Sequence, residues 1–161
     1  MRGPGNVAAM ATTIDGIDGM RAAVGQHLGY SDWHEITQDR INSFAEATGD
    51  HQWIHVDPEK AKDGPFGRTI AHGYLTLSLA PWLMGEVLKV TGMAMGLNYG
   101  LNKLRFPTPV PVGAKLRMGA EVTGVDDVGG GGVQATIDLT FELEGEAKPA
   151  CVAQAVYRYY A

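Results

Sequence analysis

The chain has 161 residues, 45% apolar and 19% charged, enough for one core and far from a disordered composition. A formal net charge of −5 disfavours nucleic acid and anionic membranes as main partners, and the single cysteine, Cys151, excludes an intrachain disulfide. No apolar run reaches bilayer length and no targeting or lipidation signal is read, so a cytoplasmic protein is expected.

Residues 1–22 carry Gly3, Gly5, Gly16 and Gly19 among few large apolar groups, and are expected to form a loosely ordered N-terminal arm. One helical turn is plausible at 20–24. Leu28, Tyr30, Trp33 and Ile36 suggest a short edge strand within 27–36. Thr37 is a good N-cap, with Asp39 in the first turn, and Ile41, Phe44, Ala45 and Thr48 follow at helical spacing. Gly49 ends that helix and turns the chain into Asp50. Pro58 after Asp57 opens a second short helix, broken by the segment 63–67.

From Gly73 to about Lys89 the chain is apolar on nearly every face, which predicts a buried helix roughly 25 Å long. Pro81 should bend it. Four long strand candidates follow, at 93–106, 115–125, 133–143 and 150–160, with glycine and proline breaks between them. Ala135, Ile137, Leu139, Phe141 and Leu143 alternate with polar residues. Consecutive strands with short connections predict an antiparallel meander, and the glycine run 129–132 its mobile tip. The class is α+β: a sheet curved around one helix, its unpaired edges covered by a second copy of the chain, so a homodimer is expected. Cys151 falls in a strand and reads as an inert core thiol.

Chemistry concentrates between Phe44 and Tyr74. A carboxylate, Asp50, and an imidazole, His55, sit on one polar bend; sharing a water, they could supply a base and an acid for adding water to a double bond beside a thioester. The Gly73 amide, at a helix start, can donate to a carbonyl oxygen that gains charge. Each also has a plain structural reading: a turn-capping Asp, a buried structural His, a glycine needed for close packing. His51, His55, Asp57 and His72 could hold a metal only on a helix; Gly49 and Pro58 make this a loop, so no metal is expected. Lys103 and Arg105, just before Pro107, could meet phosphates or form a solvated strand face.

The run Phe44, Thr48-Gly49-Asp50, Ile54-His55-Val56-Asp57, then Ala71-His72-Gly73, resembles the MaoC-like (R)-specific enoyl-CoA hydratases, as does Arg105-Phe106-Pro107 with Pro109-Val110-Pro111-Val112-Gly113. The similarity covers most of the chain from about Gly29 and is nearest to single-domain mycobacterial members. It implies a hotdog fold over 23–161, a five-stranded antiparallel sheet wrapped around a central helix, usually dimeric. It implies reversible syn addition of water to a trans-2-enoyl-CoA, giving the (R)-3-hydroxyacyl-CoA, with no cofactor beyond the coenzyme A of the substrate. The family's catalytic residues fall on Asp50 and His55, and its oxyanion-binding amide on Gly73. Where the family has Asn-Pro this chain has Gln52-Trp53; Gln52 offers the same hydrogen-bonding groups on a longer arm, and Trp53 could stiffen the bend by packing. Rival readings are a hotdog thioesterase, a dehydratase subunit acting on acyl-carrier-protein thioesters, and a non-catalytic acyl-CoA-binding subunit.

Overall fold

The computed structural model describes residues 10–161. Two elements occupy the region expected to be a loose arm: β1 (Thr12–Asp15) and α1 (Gly16–Ala22). Ile14 and Met20 are buried in the main core, and β1 pairs in parallel with a later strand, β4. Two well-spaced apolar side chains therefore outweigh the glycines. Residues 1–9 of the expected arm lie outside the described residues.

β2 (His27–Tyr30) and β3 (His34–Glu35) follow in place of one edge strand. α2 (Gln38–Thr48) begins where Thr37 Oγ1 accepts from Arg40 N at 3.2 Å and ends where Gly49 takes a left-handed φ of 80°. Ile41 and Ala45 face the core. α3 (Trp53–Val56) is a single helical turn where a loop was expected. α4 (Pro58–Lys62) starts at Asp57, whose side chain accepts from Lys60 N.

The apolar stretch after Gly73 differs from expectation in three ways. It forms two helices, α5 (Gly73–Ser78) and α6 (Ala80–Val87), joined at Leu79. Pro81 stands in the first turn of α6, where its missing N–H costs no bond, instead of kinking a helix interior. Enclosure is incomplete: Leu75, Leu83 and Val87 are buried, whereas Tyr74 and Trp82 are exposed. The chain then leaves the helix as β4 (Leu88–Thr91), the partner of β1.

The long strands are β5 (Met95–Arg105), β6 (Lys115–Val128), β7 (Gly132–Leu143) and β8 (Cys151–Tyr160). The alternation read from β7 holds: Ala135, Ile137, Leu139, Phe141 and Leu143 all point into the core, against Leu75, Leu79 and Leu83 of the helices. The meander holds only for β6, β7 and β8. The strand order is β2-β6-β7-β8-β5, with β3 also on β6, so β5 crosses to the far edge and pairs antiparallel with β8. The connection 106–114 is no hairpin. Its Val110 is buried, and its backbone is tied to the segment before α5: Ala71 N to Val110 O at 2.8 Å, and Val112 N to Thr69 O at 2.9 Å. The same crossing thus fixes the chain entering Gly73. Burial raises the Cys151 thiol to about 12, as suits an inert core group.

Candidate active site

Three elements converge. The left-handed Gly49 turns the chain out of α2 and presents Asp50; Gln52 N returns a bond to Asp50 Oδ1 at 3.3 Å. α3 carries His55. The head of α5 carries His72 and Gly73. Asp50, His55 and His72 each place a nitrogen or oxygen within 4.8 Å of the others.

His55 is buried and its Nδ1–H donates to Ile70 O at 2.7 Å, which leaves Nε2 as the acceptor of the neutral ring. Gln38, the first residue of α2, holds this turn from behind: its Nε2–H donates to His55 O at 2.8 Å, and its Oε1 accepts from Thr69 Oγ1 at 2.6 Å. Burial pushes the His55 pKa below its ordinary value of 6.5. The Ile70 carbonyl opposes that shift, the neighbouring His72 adds to it, and Asp50 opposes it.

His72 is 3% exposed. Its Nε2–H donates to the backbone carbonyl of Asp50 at 2.9 Å, and its ring stacks on that of His55 with centroids 3.8 Å apart. Phe44 of α2 also packs on it, at 4.9 Å. Sequence reasoning placed His72 in the family motif and in a rejected metal set but gave it no role; the signal for one was its place directly before Gly73. Gln38 gave no signal beyond a polar residue in a first turn.

Two cavities are lined in part by α5. One, of about 270 Å³, is lined mainly by apolar groups, with His55, Gly73, Thr76, Phe106, Val110 and Ala150 among them. The other, about 530 Å³ and open, is lined by Asp50, Phe44, Tyr74, Leu77 and Ser78. His55 lines the first and Asp50 the second, while a polar atom of each lies within 4.8 Å of the other. Gly73 is packed by the Phe106 ring, which a Cβ there would meet at 3.0 Å. Trp53 packs on Gly64 and lies under Lys60, bracing the bend as expected. The Gln52 side chain is exposed and makes no hydrogen bond among the described residues; its backbone N–H serves Asp50 instead. Arg105 is not brought to His55. With Lys103 it lines a separate groove of about 470 Å³ against Asp138, Thr140, Val152 and Gln154, because side chains alternate along β5.

Residues 20–142 match the sequence family described as MaoC like domain. The chain is 55% identical over 149 residues to a protein of Mycobacterium tuberculosis named 3-hydroxyacyl-thioester dehydratase Z, covering 92% of this chain and 99% of that one. A monoamine oxidase regulatory protein of Archaeoglobus fulgius superposes with a TM-score of 0.77 at 23% identity, over 95% of this chain and 99% of that one. An (R)-hydratase from A. caviae involved in PHA biosynthesis superposes at 0.68 with 26% identity, over 82% and 95%.

Proposed function

We propose a function from one premise: the chain belongs to the MaoC-like dehydratase family and has its hotdog fold. It is a hydro-lyase acting on a 3-hydroxyacyl or enoyl thioester. The finer reading is an (R)-specific enoyl-CoA hydratase, adding water reversibly to a trans-2-enoyl-CoA. The observation that carries it is the convergence of Asp50 and His55 within 4.8 Å, beside the Gly73 amide and an apolar cavity.

The chemistry follows from those positions. The thioester carbonyl would accept from the Gly73 N–H, which as a first-turn amide has no intrahelical acceptor. One such donor is worth about 3–4 kcal/mol against the developing enolate. A water in the gap donates one hydrogen to the Asp50 carboxylate and the other to His55 Nε2. As its oxygen bonds to the β-carbon, His55 takes the proton, the Cα=Cβ pair moves toward the carbonyl, and the imidazolium returns that proton to the α-carbon. Oxygen and hydrogen thus arrive on one face, which is syn addition. Asp50 orients the water and steadies the transient imidazolium. No metal is needed.

Coenzyme A and an acyl-carrier protein present the same thioester at the end of a phosphopantetheine arm. Lys103 and Arg105 end β5 just before Phe106, where they could meet phosphates farther along that arm; Gln52 would contribute through its backbone. A homodimer fits the exposed β5 edge, where Met95, Leu97, Tyr99 and Leu101 all face outward. The test is loss of enoyl absorbance from crotonyl-CoA, with the carrier-protein thioester in a parallel arm and a thiol-trapping dye to detect hydrolysis. Hydration without thiol release supports the reading; thiol release would make the protein a thioesterase.

A further inference from the structure

We propose that His72 is a positioning residue for this reaction, holding both reacting groups at once: it pins the Asp50 bend to the head of α5 and serves as the flat wall that fixes the ring plane of His55. The inference rests on Asp50 and His55 being the reacting pair.

Nothing in packing alone asks for an imidazole here. The ring is buried between Phe44 and His55, a place suited to Phe or Leu. Its Nδ1 is buried with no hydrogen-bond partner, a state that costs stability and that a purely structural side chain would avoid. What the imidazole adds is the Nε2–H bond to Asp50 O at 2.9 Å. That bond reaches across from α5 to the residue just after Gly49, where the backbone has left the helix and has few other ties. The carboxylate of Asp50, 52% exposed, depends on that backbone for its place. The opposite contact is the stack: 3.8 Å between centroids and 24° between planes. With Nδ1 of His55 on Ile70 O and one ring face on His72, His55 Nε2 is left a single direction.

The stack also has an electrostatic consequence. Among the described residues the titratable groups facing His55 are Asp50, from the turn after α2, and His72, from the head of α5; the first favours a proton on His55 and the second disfavours it. Removing the His72 imidazole therefore moves protonation of His55 to higher pH.

Two variants separate the contacts. His72→Phe keeps a ring and removes the donor; His72→Gln keeps a donor within reach of Asp50 O and removes the ring. The expected result for His72→Phe is a kcat about ten- to a hundred-fold lower with KM within about two-fold, since misplacement of a reacting group costs on that order. His72→Gln retains the larger share of kcat. In both, the acid limb of the rate profile moves to higher pH, since His72 both buries His55 and disfavours its proton. A His72→Phe protein with undiminished kcat and an unmoved acid limb overturns the proposal; if that variant does not fold, the same result from His72→Gln does so. Nitrogen-15 NMR of the unaltered protein gives a reading free of activity: His72 must carry its proton on Nε2 and His55 on Nδ1, and the reverse tautomer on His72 overturns the pin. Should Asp50→Asn and His55→Gln prove active, it is the catalytic assignment that fails, not the His72 contacts.

Discussion

The imidazole of His55 lies face to face with that of His72, its Nδ1–H spent on the Ile70 carbonyl and its Nε2 left open toward Asp50. A carboxylate and an imidazole on one bend become a usable pair because a third residue, from another element, restrains both.

The pH dependence has a definite sign. Burial lowers the His55 pKa below 6.5, so the neutral ring persists in the folded protein to pH values where a free histidine is charged. Activity should hold as pH drops through about 6.5 and fall only below that. Stability behaves differently. Above about 6.5 both states leave His55 neutral and it contributes no pH dependence. Below that the unfolded chain takes the proton first, so stability declines until pH reaches the lower native value. Melting temperatures from about pH 8 to about pH 5 should show that decline, and His55→Gln should flatten it.

Gly73→Ala tests the close approach at the head of α5. The added Cβ would lie 3.0 Å from the Phe106 ring, so either the ring or the helix head must move. We expect kcat to fall about ten-fold or more as the amide shifts, consistent with the worth of one oxyanion donor. Phe106→Ala in the same chain should restore part of the loss, because the two sites are in contact. Equal rates for Gly73→Ala and the unaltered protein would remove the amide from the mechanism.

Arg105 sits apart from the reacting groups, so its removal should leave chemistry alone. Arg105→Ala is expected to raise KM for an enoyl-CoA several-fold with kcat preserved, and to leave a truncated thioester lacking the nucleotide unaffected. A kcat effect on the truncated substrate would contradict the assignment.

The core anchor is Phe141 on β7, fully buried in the main core. Phe141→Ala should cost about 3–5 kcal/mol by chemical denaturation. A cost below about 1 kcal/mol would mean that the sheet does not close over the helices as described.

Much of this was legible along the chain because it is local. Thr37 and Gly49 bound α2 through a side-chain cap and a left-handed turn, both chemical properties of single residues. The β7 alternation announces which face is buried before any partner is known. What escaped was non-local. β1 pairs with β4 at a separation of 76 residues, and only Ile14 and Met20 hint that the first segment is held. β5 looks like the neighbour of β6 until the proline-bearing connection is seen to carry it to the other edge. Pro81 announced an interruption in this stretch, but not that the break would fall at Leu79. In the candidate site, the nearness of Asp50 and His55 was legible in the bend they share, and their proposed roles came from the family motif. The groove that Arg105 lines was not readable because strand pairing decides its neighbours, and His72 was undervalued because a stack between residues of two elements leaves no periodic trace.

The most direct test is the rate at which trans-2-enoyl-CoA absorbance disappears on mixing with the protein, read beside Asp50→Asn and His55→Gln. The unaltered chain should form the (R)-3-hydroxyacyl-CoA without releasing thiol, and each substitution should slow it by about 10²–10⁴-fold at unchanged fold, the range expected for a positioned acid–base group. Both variants running near the parent rate would contradict the central claim.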